Sequence, residues 1–177
     1  MPSLPDHREG ARRGAFLEGM SRTAATVNIV TTDGPAGRAG VTVLAMSSVF
    51  ADAPAPSLLV CIHREGSASR PILANGVFCV NVLREDQSAI ADVFAGRIGT
   101  ESADRFACAR WTAIKTGAPR VIDPLVAFDC RLTHSELIGT HYVMIGAVAE
   151  TFIAATGRPL IYTARDYGTP TRLKRAA

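Results

Sequence analysis

The chain has 177 residues, 47% of them apolar and 20% charged, which is the composition of a folded domain with its own core and excludes a disordered chain. Nineteen Lys and Arg against 16 Asp and Glu leave a formal charge of +3, too near balance for the basic stripe of a nucleic-acid binder. No apolar run approaches the roughly 20 residues of a bilayer crossing, and Met1 to Arg8 holds no apolar signal region, so a cytoplasmic domain without membrane contact is expected.

Residues 1–13 are polar, basic and proline-containing, and predict a flexible N-terminal segment. One domain is expected over 14–168, with 169–177 as a solvated tail. Phe16, Leu17 and Met20 suit a short helix over 14–20. The period then changes: Thr26 to Thr32 is β-branched and alternating, hence a strand. Asp33-Gly34-Pro35-Ala36-Gly37 is turn chemistry, and Gly40 to Val49 reads as the returning strand of a hairpin. Ala53-Pro54-Ala55-Pro56 breaks the chain before a buried strand over Leu58 to Ile62. A helix is expected over 67–75, capped by Ser67 or Ser69, with Pro71 in its first turn and Gly76 as its stop. Val77 to Leu83 is another strand. Asp86 then caps a helix with Ile90, Val93 and Phe94 on one face. Residues 97–125 read as mostly irregular. Strands follow over Val126 to Ser135, His141 to Phe152 and Leu160 to Tyr162.

Six or seven strands with three short helices do not alternate as a doubly wound sheet does. The order favours a mainly β fold, an antiparallel Greek-key barrel with helical inserts. Cys61, Cys79, Cys108 and Cys130 are widely spaced and lack a C-x-x-C pair, so reduced thiols are expected. Gly34, Gly37 and Gly40 are spaced G-x-x-G-x-x-G between two strands, which is not the dinucleotide fingerprint. The four histidines, His7, His63, His134 and His141, show no zinc spacing, and no metal is expected.

Two segments carry chemistry. Val41 to Val49 puts hydroxyls and small residues on a strand. Cys61-Ile62-His63-Arg64-Glu65-Gly66-Ser67-Ala68-Ser69 puts an Arg, a Gly and two hydroxyls where a helix begins, a place suited to an anion. Together they suit a phosphate at one end and a flat apolar ring at the other. The residues alone favour the plainer account, of strand-edge serines and a helix cap.

The stretch Thr31-Thr32-Asp33-Gly34-Pro35-Ala36-Gly37-Arg38-Ala39-Gly40-Val41-Thr42, followed by Ser47-Ser48-Val49 and Leu58-Leu59-Val60-Cys61-Ile62, resembles the flavin reductase family. These are the small reductase components of two-component flavin-dependent monooxygenases, such as the 4-hydroxyphenylacetate system. Phe78 to Leu83, Phe94-Ala95-Gly96, Arg105-Phe106, Trp111, Phe128-Asp129-Cys130-Arg131 and Gly139-Thr140-His141 continue the likeness in the same order, over residues 14–168. Within the family the Thr31 to Gly40 stretch is most similar to the reductases of bacterial pyrimidine utilisation.

The resemblance implies an FMN-binding split β-barrel, usually a homodimer. It implies that NADH or NADPH reduces FMN or FAD by hydride transfer, and that reduced flavin passes to a partner monooxygenase. Carried over by residue, it implies that Thr42, Val43, Leu44 and Ala45, with Met46, Ser47 and Ser48, line the ring and ribityl chain. His63 and Arg64 with Ser67 are implied at the phosphate end, with Ser69 an alternative to Ser67, and Cys61, Ile62 and Ala68 are implied in the flavin site. Position 63 departs from the Asn of many relatives. Asn81, Arg105 and Phe106 are implied in the flavin site, although the residues alone favour a core or interface place for Phe106 and Trp111, and Arg105 also suits a pairing with Glu101 or Asp104. His141 is implied on the nicotinamide side as an orienting residue, and Tyr162 and Tyr167 suit the rim. Two other readings remain open here: a flavin carrier or sensor without turnover, and a reductase acting on another substrate, such as a corrinoid.

Overall fold

The computed structural model describes residues 7–52, 54–99 and 104–173. The strands in chain order are Ala25–Thr26 (β1), Asn28–Thr32 (β2), Ala39–Val43 (β3), Met46–Phe50 (β4), Ser57–His63 (β5) and Val77–Val82 (β6). They continue with Trp111–Ala113 (β7), Pro119–Val121 (β8), Val126–Ile138 (β9), His141–Ile153 (β10), Ile161–Thr163 (β11) and Asp166–Gly168 (β12). The helices are His7–Ser21 (α1), Ser69–Asn75 (α2) and Ser88–Phe94 (α3), with one turn of 3-10 helix at Arg105–Cys108.

Seven strands form one sheet in the order β3-β2-β6-β9-β10-β5-β4, and every pairing in it is antiparallel. β3 and β4 are its two edges, yet only Leu44 and Ala45 separate them in the chain. Laid flat, six strand spacings would put those edges about 29 Å apart. A link of that length spans only about 10 Å. The sheet must therefore curl into a barrel, and it stays split along the β3–β4 seam, where no ladder joins the two strands.

The barrel interior holds Val30, Val43, Val60, Ile62, Phe78 and Met144. Gly146 makes room for Phe78 there, since a Cβ would stand 2.9 Å from the Cys130 Cβ and closer still to the Phe78 ring. The opposite face of β2 and β3 carries a second core of Ile29, Leu83, Phe94, Phe106, Val121 and Leu160, beneath α3 and the 3-10 turn. Gly40 lets α3 close down, because a Cβ there would meet Phe94 at 2.6 Å.

Several elements differ from expectation. α1 begins at His7, so residues 7–13 are helical where a flexible segment was expected; residues 1–6 lie outside the described residues. The strand predicted over Gly40 to Val49 is broken at Leu44–Ala45 by the seam. α2 starts at Ser69, two residues later than expected, because neither serine caps it: Ser67 and Ser69 spend their hydroxyl hydrogens elsewhere. α3 starts at Ser88 with no side-chain cap, and Asp86 instead pairs with Arg84 at 2.7 Å. The stretch 97–125 is less irregular than expected, since it contains β7 paired with β8. Its turn is tied to the barrel by buried Asp129, which accepts the Thr116 backbone N–H at 2.7 Å and the Thr116 hydroxyl.

All four cysteines are free. Burial pushes the Cys79 thiol well up and Cys130 to about 12, which makes both poor nucleophiles.

Candidate functional site

The seam supplies an unspent strand edge. The Gly40 carbonyl points away from β2 and accepts the Ser67 hydroxyl at 2.8 Å. Strand alternation then turns the N–H and C=O of Thr42 to the same open edge. The Thr42 side chain faces the other way into the structure, donating to the Ala91 carbonyl at 2.7 Å. Val43 is a core residue at 5% exposure, and its carbonyl is turned to β2, where it accepts from the Asn28 amide at 3.1 Å. Met46 packs partly into the barrel. Leu44, Ala45, Ser47 and Ser48 are exposed.

Two cavities flank Leu44. One, of about 270 Å³, is lined by Thr42, Leu44, Phe94, Arg97, Tyr162 and Tyr167. The other, of about 320 Å³, is lined by Met20, Thr23, Leu44, Ala45, Tyr162 and Arg165. Leu44 and Tyr162 belong to both. Their apolar walls and few polar groups suit a flat aromatic ligand. The tyrosines arrive on the β11–β12 hairpin. Arg97 lies between them, donating to the Tyr162 hydroxyl at 3.3 Å and the Tyr167 hydroxyl at 3.2 Å. Asp92 accepts from Tyr167 at 2.8 Å and from Arg97 at 3.2 Å. Burial, then the Asp92 carboxylate, pushes the Tyr167 phenol up to about 12. The hydrogen bond to Tyr162 leads the effects that raise Arg97 above its ordinary value, so its charge is secure. Arg97 and Asp92 were missed in the sequence because no motif marks them.

The loop after β5 lies against the start of β3. Ile62 at 2% exposure and Ala68 at 0% belong to the barrel core, so their side chains are committed to packing. Cys61 is half-buried on the outer face, and its N–H donates to the Ala45 carbonyl at 3.1 Å. Arg64 is half exposed beside Glu65 at 3.4 Å. Ser69 is fully buried and donates to the Arg64 and Gly66 carbonyls, which removes it as a phosphate ligand. Ser67 stays at the seam, with its hydrogen committed to Gly40. His63 and His141 are directly opposite on β5 and β10.

Three expected residues lie elsewhere. Asn81 is fully buried, donating to the Ile29 carbonyl at 3.1 Å and accepting the Val121 N–H at 2.9 Å, so its amide is structural. Phe106 stands behind Phe94; its ring carries Arg38 at 3.9 Å and packs edge-on against Phe94 and Trp111. Arg105 is half-buried near Gly96 and outside both cavity linings. Its alternative partner Glu101 lies outside the described residues. Among the described residues no group of three or more His, Cys, Asp or Glu is placed to hold a metal ion, and no helix is long and apolar enough to cross a membrane.

The family profile described as flavin reductase like domain matches residues 20–171. A protein of Methylorubrum populi named FMN reductase (NADH) RutF is 44% identical over 161 residues, covering 91% of this chain and 78% of that one. A protein of the same name from Stutzerimonas stutzeri is 43% identical over 155 residues, covering 88% and 87%. Among solved structures, a candidate flavin reductase from Haemophilus somnus superposes with a TM-score of 0.81 at 36% identity, covering 89% of this chain and 98% of that one. BorF, the flavin reductase component of a bacterial two-component tryptophan halogenase, gives 0.78 at 27% identity, covering 93% and 99%.

Proposed function

The chain belongs to the flavin reductase family, and from that premise we propose that it is an NADH-dependent FMN reductase that supplies reduced flavin to a partner monooxygenase. The observation that carries this reading is the seam. An open strand edge at Thr42 borders a tyrosine-walled cavity that shares Leu44 with a second apolar cavity, and the loop that carries Arg64 and Ser67 lies at the other end of β3.

The residues present fit a flavin. The chemistry that the two cofactors supply when bound is hydride transfer from nicotinamide C4 to flavin N5. The protein's task is to bind, orient and exclude water. Thr42 offers an edge N–H to the pyrimidine side of the ring, where a fixed donor stabilises charge gained on reduction. Leu44 and Tyr162 form apolar walls that keep water away. Arg64 is the charged group available to the phosphate end, since the serine hydroxyls are committed. His141, at the mouth of the β9–β10 turn, orients the nicotinamide nucleotide. Holding both rings in reactive geometry lowers the barrier by several kcal/mol, about 7–11 where the alignment is ideal.

We place the enzyme in the cytoplasm as a homodimer. The exposed Val49 and Phe50 on edge strand β4, each at 45%, support a second copy as the cover. A steady-state assay crossing NADH and NADPH with FMN, FAD and riboflavin tests the activity. NADH is oxidised when FMN is added. A protein that turns yellow with FMN but consumes no nicotinamide is a carrier, and overturns the proposal.

A further inference from the structure

His63 and His141 face each other across the β5–β10 ladder. Their rings are perpendicular, with centroids 5.1 Å apart. Each ring is held at Nδ1. That of His63 accepts the Glu65 backbone N–H at 3.2 Å, and that of His141 lies 3.0 Å from the Thr140 hydroxyl. One step beyond the strands, the Arg64 N–H donates to the Thr140 carbonyl at 2.9 Å. The loop after β5 and the β9–β10 turn are therefore joined beside the two imidazoles by one backbone hydrogen bond and by the ring pair itself, while the other two bonds tie each ring to its own segment. Both side chains are exposed, so neither ring owes its direction to core packing. What fixes the His141 ring is its own neighbour Thr140 and the flank of His63.

The rest of the loop works in another direction. Ser67 is bound to Gly40 and Ser69 to the loop's own carbonyls. His63 is the member that turns toward β10. We infer that His63 is a positioning residue for His141 on the nicotinamide side, and not a ligand of the flavin phosphate. An edge-to-face pair limits how far either ring can swing, and cross-strand neighbours in a sheet are close enough to enforce this. The inference rests on the reading of His141 as the residue that orients the nicotinamide nucleotide.

The test compares His63→Ala, His63→Phe, His141→Ala and the double alanine variant in the full-length protein. His63→Ala raises the KM for NADH about threefold to tenfold, the equivalent of one aromatic edge-to-face contact. Its kcat and FMN dissociation constant stay within about twofold of wild type, as loss of nicotinamide positioning in the ground state requires. His63→Phe keeps a ring in place and restores the KM. Adding His63→Ala to His141→Ala changes the KM no further, because the two act as one unit. Weakened FMN affinity with an unchanged NADH KM overturns the inference, as does a Phe variant as poor as the Ala variant. A second readout needs no turnover: the His141 ring-proton NMR signals move when His63 is replaced by Ala. Unchanged signals sink the positioning role alone, whereas a wild-type protein that cannot oxidise NADH with FMN sinks the functional reading.

Discussion

Asn81 spends its amide wholly inside the protein, on Ile29 and Thr31 of β2 and on Pro119 and Val121 of β8. It clamps the small β7–β8 sheet to the barrel. Asn81→Ala leaves a buried backbone N–H without an acceptor, and destabilises the fold by about 2–4 kcal/mol. Chemical denaturation measures this loss, while FMN affinity at temperatures where the variant stays folded is unchanged. An Asn in an apolar strand looks the same in a sequence whether it serves a ligand or a neighbouring backbone, because the partner lies 40 residues away at Val121. Phe106, open in the sequence to a core or a flavin place, and Ser69, open to a cap or a phosphate, carry the same ambiguity. Thr42, Leu44 and Ala45 stand at the open seam and its cavities, but only the family resemblance pointed to them, because the residue pattern by itself reads as an ordinary strand edge. The partnership of His63 with His141 was not legible: register between β5 and β10 is set by the whole barrel, not by either histidine's neighbours.

The β11–β12 hairpin is a separate element with its own logic. Its two-residue turn, Ala164–Arg165, holds φ of 51° and 65°, the left-handed region that Gly and Asn favour at such turns. The turn is kept by α1: the Ala164 N–H donates to the Ser21 carbonyl at 2.6 Å, and Arg165 pairs with Glu18 at 3.2 Å. On its other side the hairpin is tied to α3 through Tyr167 and Asp92. The Tyr167 phenol is held at about 12 against an ordinary 10. Its folded value is the higher one, so this tie contributes stability in full below about pH 10 and loses it as the pH rises through about 12. Absorbance at 295 nm should show one of the three tyrosines ionising late, and Asp92→Asn should bring that step to lower pH. The long strands and the β2–β3 and β9–β10 turns of the barrel were readable from alternation and from Asp-Gly and Gly-Thr punctuation. The strands β7 and β8 were not, because three residues with a Pro at one end give no period to detect.

At the scale of the whole molecule, a seven-stranded sheet whose edges are two residues apart has one way to close and one place where it cannot. The same curl exposes β4 on the outside, with Val49 and Phe50 facing solvent in a single chain. A second copy covering that edge removes apolar area from water, at about 25 cal/mol per Å². Phe50→Lys therefore shifts the protein toward monomer in analytical ultracentrifugation, and a wild-type protein that sediments as a monomer at micromolar concentration removes the homodimer. The seam has a further consequence. Unspent N–H and C=O groups along a β edge are a template on which other chains stack. Whatever occupies the gap beside Thr42 thus also shields the polypeptide from its own kind, so light scattering is expected to rise sooner on warming the empty protein than the protein with FMN added.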